Sequence, residues 1–461
     1  MNSKRLLYFF SFSFIAIITV MLFGCAQIGV PTGGPKDSIP PKLVVSTPEL
    51  NKTNFTGKEI SFTFDEYIVV DDPTKNVLVS PYPKSNPQVN FKLKTVTVKL
   101  KDTLLPNTTY AINFGNAIKD NNEGNLFRDF TYVFSTGPTI DSLQFSGQVI
   151  LAETGKKDST LMALLYRNTD DTMVQHRRPD YVARVDRDGK FTFRNLSKDT
   201  YKVYALKDND GRKTYNDKTE LFAFSNTDIN VSEKTDSVTL YAYAEEKDKK
   251  NTTPPKALPE KRLKYTVPVP AADQSLLTTL DISFNRPLKS FDAEKIQVTD
   301  SLYNKIPGIS YSLDSNSKIL SLKTSWKDTF AYRLIIDSAA VTDTFSAHLA
   351  KNDTIKFKSK GAADYGSLLI RFKKLDTAKH QVLQIFKADV IYKTVRITTA
   401  SWSDKLFEPG EYELRILFDT NDNGEWDPGN YEKKLQPERA ITLDKKLNIR
   451  ASWDNEREVE L

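Results

Sequence analysis

Cysteine is almost missing from this chain of 461 residues: Cys25 is the only one. No intramolecular disulfide can form, so stability has to come from packed cores. Histidine is nearly as scarce. His176, His348 and His380 lie far apart with no second ligand at helical or loop spacing, which argues against a zinc site. No glycine-rich phosphate loop follows a strand, and no nucleophile elbow occurs. A dominant charge is absent too. The 65 basic and 59 acidic residues leave a formal charge of +6, too weak and too dispersed to imply a nucleic-acid partner. Long apolar runs are lacking except for one near the N-terminus.

That run covers residues 6–23, follows Lys4 and Arg5, and ends Leu22-Phe23-Gly24 before Cys25. A positive start, an apolar stretch able to enter the translocon, and small or apolar residues before a cysteine are the parts of a lipoprotein signal. Residues 1–24 are therefore expected to be a signal peptide, with cleavage leaving Cys25 to carry palmitate and diacylglyceryl chains. The rival, an uncleaved spanning helix, fits less well: the run is at the short limit for spanning and ends at Gly-Cys instead of a stop-transfer cluster. Lipidation makes the chain anchored to a membrane and consumes its one thiol. Ala26 follows the cysteine, and the lack of Asp there removes an inner-membrane retention signal, so outer-membrane residence is expected with its face left open.

Residues 25–41, containing PTGGPKDSIPP, carry no apolar period and read as a tether. From residue 42 the period is two almost everywhere: Ile60, Phe62, Phe64; Val89, Phe91, Leu93; Val96, Val98, Leu100; Tyr110, Ile112, Phe114; Phe130, Tyr132, Phe134. About seven such strands in roughly a hundred residues suit an immunoglobulin-like sandwich over 42–137. A second all-β stretch covers 138–245, with a turn at Asp188-Gly189. Residues 246–262 lie in a charged, proline-rich stretch that marks a linker. The pattern then restarts. ISFTFDEYIVV at Ile60 parallels LDISFNRPLKS at Leu280, and the tyrosine-led strand at Tyr201 parallels the one at Tyr412. The expected fold is all-β: a tandem array A-B-A′-B′ of four β-sandwich modules, the last two over 263–361 and 362–461. With few apolar residues in the linker, the two halves are expected to fold independently.

At FDEYIVV, NTTYAINFGNAIKDNNEGN and YVFSTG, repeat A resembles the bacterial Ig-like domain family of surface-layer and other envelope proteins. Repeat B, with FSGQV and DGKFTFRNLSKDTYKVYALKDNDG, resembles carboxypeptidase-regulatory or transthyretin-like sandwiches. Position 200, just before the tyrosine, is Thr where that pattern has Gly ahead of it, whereas the fourth module has Gly410 two residues ahead of Tyr412. The whole resembles Ig-like-domain lipoproteins of Gram-negative envelopes. That resemblance implies an envelope role and brings no catalytic residues.

The chemistry left to weigh is sparse. Asp65-Glu66 sit at the end of a strand, where adjacent side chains point to opposite faces, which does not suit a glycosidic pair. Trp402, Trp426 and Tyr431 lie in or near turns of the last module, where aromatic faces could meet a sugar. His176-Arg177-Arg178 and residues 247–250 are basic runs of the kind that solvent usually covers. In residues 419–427, oxygen side chains fall at loop positions one, three, five and nine with glycine at six: Asp419, Asn421, Asn423, Asp427 and Gly424. Glu425 at position seven could add its carbonyl, which makes this a candidate calcium loop against the alternative of a self-satisfied Asx turn; no other cofactor is expected. The expected function is a non-enzymatic, lipid-anchored spacer or interaction scaffold with an envelope protein or glycan partner. The alternative is a surface glycan- or peptide-binding lipoprotein.

Overall fold

The computed structural model describes residues 36–167, 170–247 and 262–461. The expected signal peptide, Cys25 and most of the expected tether and linker lie outside the described residues. Among the described residues the chain is nearly all β, its helices being pieces of one turn such as Pro73–Asn76 and Met173–His176, and no helix is long and apolar enough to cross a membrane. Two compact units are present. One holds the described residues up to Val79 together with Ser85–Thr139, the other Ser80–Lys84 and Ile140–Leu461.

Alternation builds the first unit. In the strand Glu59–Phe64, Ile60, Phe62 and Phe64 are buried while the residues between them face outward. Its sheet runs Leu43–Thr47, Glu59–Phe64, Thr95–Lys99, Gln88–Lys92, and Thr109–Gly115 pairs with Phe130–Ser135 in a facing sheet. The core between them is aromatic. Phe62 meets Phe114, Phe130 and Tyr132 edge-on, an arrangement that adds roughly 0.5–1.5 kcal/mol per pair beyond area. One element departs from the alternation: Phe91 and Leu93 are exposed, and Leu93 lies in a turn because the strand stops at Lys92.

Among the described residues of the second unit, large buried clusters are centred on residues 145–242, 263–357 and 368–459. Around the first, Lys190–Leu196, Leu143–Leu151 and Val238–Ala242 form one sheet, and Tyr181–Arg184, Met162–Tyr166, Asp199–Leu206 and Phe222–Phe224 form the other. Leu143–Leu151 and Val238–Ala242 run parallel. The same order recurs at the end of the chain: Ser401–Phe407, Gly366–Lys373, Asp454–Glu460, facing Val390–Arg396, Gln381–Lys387, Gly410–Phe418, Arg439–Thr442. Between them, Tyr265–Thr266, Leu280–Phe284, Ile319–Lys323 and Ser310–Leu313 repeat the strand order of the first unit.

Tyrosines pin the repeats. The Leu105 N–H donates to the Tyr110 hydroxyl at 2.8 Å, and the Lys327 N–H to the Tyr332 hydroxyl at 2.8 Å, each a corner closed from five residues back. The Tyr201 and Tyr412 hydroxyls donate to the carbonyls of Ser197 at 3.1 Å and Glu408 at 2.8 Å.

Candidate functional site

Residues 419–438 connect Gly410–Phe418 to Arg439–Thr442, and the candidate calcium ligands form the base of this loop. The Asp419 carboxylate is fully buried and accepts the N–H groups of Asn423 at 3.2 Å and Gly424 at 2.6 Å. The side-chain amides of Asn421 and Asn423 donate to Asp427 at 2.6 and 2.7 Å, while Glu425 donates its backbone N–H to the Asn423 side-chain oxygen at 2.6 Å. Asp419, Asn421, Asn423 and Asp427 are thus brought onto one turn, closed by its own hydrogen bonds. Glu438, which the loop spacing did not point to, closes the base by accepting from Thr420 N–H at 2.6 Å, its hydroxyl at 2.7 Å and Asp427 N–H at 3.2 Å. Among the described residues, no group of three or more His, Cys, Asp or Glu is placed to hold a metal ion.

Beyond the base, the loop becomes an arm that enters the neighbouring module. Tyr431 is 4% exposed, and its ring meets Phe222, Phe224 and Tyr204 edge-on at centroid distances of 5.1, 5.1 and 6.0 Å. Its hydroxyl donates to the Asp171 carbonyl at 2.6 Å, and burial pushes the phenol pKa up to about 12. Glu245 accepts the Tyr431 N–H at 3.0 Å, the Asn430 amide at 3.2 Å and the Tyr215 hydroxyl at 3.0 Å. A buried carboxylate with three donors is well satisfied.

Charge and backbone complete the joint. Lys434 lies 3.7 Å from the Tyr431 ring centroid and 3.1 Å from Asp171, which also pairs with Lys202 at 3.0 Å. Burial acts to raise the Asp171 pKa, but the hydrogen bonds and charges of these two lysines outweigh it and hold the carboxyl below its ordinary value. Ala440 N–H donates to Ala152 O at 2.7 Å and Thr442 N–H to Thr154 O at 3.1 Å, joining a strand of the last module to a turn of the second. Gly155 permits that approach: its φ is +67°, and a Cβ there would lie 2.7 Å from Ala440 O. Lys156 pairs with Glu413 at 2.7 Å across the same joint. The expectation of two independent halves fails here, because apolar burial and main-chain bonds cross between modules distant in sequence.

The other candidates scatter. Trp426 packs beside Val382, Leu417 and Ala440 and donates its indole N–H to Glu438 O at 2.7 Å, so it anchors the loop. Trp402 packs against the last core with Lys393 over its ring at 5.3 Å. Asp65 accepts Lys42 N–H at 2.8 Å, whereas burial and the charges of Asp120, Asp65, Asp37 and Glu123 raise the pKa of Glu66. His348 lies 3.0 Å from Val341 O, His380 4.0 Å from Asp422, and His176 ends a one-turn helix. Arg177 pairs with Asp180.

Residues 37–136 match the family model of the bacterial Ig-like domain. No curated protein matches the chain. Among solved structures, the chain is similar to native alpha-2-macroglobulin from Escherichia coli spanning domains MG0-NIE-MG1, with 11% identity over 42% of this chain and 97% of that one and a TM-score of 0.21. It is also similar to the N-terminal part of the bacterial S-layer protein SbsC, with 19% identity over 44% of each chain and a TM-score of 0.16. A third likeness is BcpA, the major pilin subunit of Bacillus cereus, with 9% identity over 69% of this chain and 99% of that one and a TM-score of 0.17.

Proposed function

We propose that this chain is a lipid-anchored, non-enzymatic protein of the outer membrane that acts as a spacer and interaction scaffold. In this reading Cys25 carries the lipid, the bacterial Ig-like domain stands next to the tether, and residues 138–245 and 362–461 are transthyretin-like modules. The observation that carries the scaffold part is the docking of the Tyr431 arm into the second module. It commits aromatic and acidic side chains that a ligand site would otherwise use to holding modules together. The reading includes a weak calcium site at Asp419, Asn421, Asn423, Glu425 and Asp427, which would stiffen the base of the arm.

Fractionation tests the anchor. The wild-type chain is expected to incorporate labelled palmitate and to sediment with outer membranes, and Cys25→Ser to lose the label and leave the membrane fraction. A Cys25→Ser protein that stays wholly integral would overturn the anchor in favour of a spanning segment.

A further inference from the structure

In the first unit, Gln88–Lys92 and Thr95–Lys99 form a hairpin whose two-residue turn is Leu93-Lys94, and Gln88–Lys92 is the outermost strand of its sheet. Half-buried hairpins turn apolar residues inward, and Val96 and Val98 do so. The tip behaves differently. Leu93 is 64% exposed, Tyr67 52% and Phe91 41%. Leu93 also has a φ of +55°, a left-handed conformation that costs a leucine about 1 kcal/mol and that Gly or Asn adopts more readily.

Tyr67 and Leu93 border a groove of about 510 Å³, within the size range of small-ligand sites; Asn90 faces Thr97 and Lys92 faces Thr95 on the outer side of the hairpin, while Phe91 is paired with buried Val96 on the other side. Lys92, Lys94 and Asn90 are among the residues that line it, and no acidic residue is. Lys94 lies 5.8 Å from the Tyr67 ring centroid and donates to the Asp65 carbonyl at 2.6 Å, which fixes one cation beside one ring.

The equivalent hairpin of the other unit shows that topology alone does not build this groove. Ser310–Leu313 and Ile319–Lys323 are joined by residues 314–318, Asp-Ser-Asn-Ser-Lys. There Asp314 accepts Lys318 and Ile319 N–H at 2.6 and 2.7 Å, the positive φ falls on Ser317, and the Tyr311 hydroxyl turns in to donate to Ile296 O at 2.6 Å. That polar turn satisfies itself.

We propose that the groove of the first unit binds an anionic glycan. A sugar ring packs its C–H face on Tyr67, Asn90 and Thr97 bond its hydroxyls from the outer side of the hairpin, and Lys92 and Lys94 pair with a carboxylate carried on the sugar. A peptide added as an extra strand fits less well, because Ile68 N–H already occupies the Leu93 carbonyl at 3.0 Å where such a strand would pair. The site does not depend on the anchor.

Calorimetric titration of the full chain with a galacturonate hexamer, maltohexaose and hexaglutamate tests it. The galacturonate hexamer is expected to bind with a Kd below about 1 mM, with Tyr67→Ala weakening it roughly tenfold at unchanged melting temperature and Phe91→Ala, on the opposite face, leaving it unchanged. Replacing Lys92 and Lys94 together by Gln should weaken it further and flatten its salt dependence. Absence of binding at several times that concentration, or unchanged affinity in Tyr67→Ala, would overturn the proposal. Equal binding of maltohexaose would remove the anionic requirement, and equal binding of hexaglutamate would make the patch a docking surface for acidic peptides; either result defeats the assignment.

Discussion

The loop that follows Asp199–Leu206 and the one that follows Gly410–Phe418 start from the same plan and end differently. Each begins with an acid, Asp208 or Asp419, and each reaches a glutamate, Glu220 or Glu438, that accepts the N–H just after that acid, from Asn209 at 3.1 Å and from Thr420 at 2.6 Å. In the first loop the Lys213 ammonium sits 3.2 Å from Asp208 and the turn closes on itself. In the second, backbone N–H groups from Asn423 and Gly424 satisfy Asp419 instead, and the chain continues outward as the arm that carries Tyr431. The acid pair is a foundation that fixes where a loop leaves the sheet. What stands on it decides whether the module remains alone.

Removing the arm's aromatic should erase that difference most completely. Tyr431→Ala is expected to cost about 3–5 kcal/mol and to separate the melting of the second and fourth modules in calorimetry, whereas Tyr431→Phe, losing the bonds to the Asp171 carbonyl and the Tyr204 hydroxyl, should cost about 1–3 kcal/mol. A single unshifted transition in Tyr431→Ala would show that the arm does not couple the modules. Gly155→Val attacks the same joint from the other side and is expected to cost about 1–3 kcal/mol, through a Cβ driven against Ala440 O at a φ suited to glycine. Hydrogen exchange at Ala440 and Thr442 reads whether the main-chain bonds have opened.

Acid should have a smaller effect. Asp171 and Glu413 at the joint both have folded pKa values below their ordinary 3.8 and 4.5. Their contribution is therefore complete above those ordinary values and is lost as pH falls through the depressed folded ones. Exchange protection at the joint is expected to be flat from pH 7 to about 5 and to fall below about 4, and protection that rose on acidification would contradict the ion pairs. Calcium is the smallest lever. A weak site at several times its Kd adds about 1 kcal/mol, so several millimolar calcium should raise the melting temperature modestly and shift Trp426 fluorescence; no change removes the metal from this reading.

Alternation made the strands legible, since Ile60, Phe62 and Phe64, or Tyr110, Ile112 and Phe114, have no other economical use than one buried face. The joint was hidden because Tyr431 is a lone aromatic in a polar loop, where no period marks it. Its receptor did leave a trace: Met162–Tyr166 reads MALLY and Phe222–Phe224 reads FAF, runs apolar on both faces and therefore covered on both. The groove was masked by the opposite error. Val89, Phe91 and Leu93 look like one inward stripe, but the chain turns at Leu93 and leaves the last two exposed. The calcium loop showed its spacing plainly, and spacing does not distinguish side chains that converge on an ion from side chains that converge on their own backbone.

In both stretches, 138–245 and 362–461, the closing strand runs parallel to the opening one, Val238–Ala242 beside Leu143–Leu151 and Asp454–Glu460 beside Gly366–Lys373. Tension applied to the two ends of such a stretch drags these neighbours in opposite directions along their length. The ladder is then loaded in shear, with its hydrogen bonds strained together, and does not unzip one rung at a time. A protein held at one end by a membrane and at the other by a partner would meet mechanical load through its most resistant geometry.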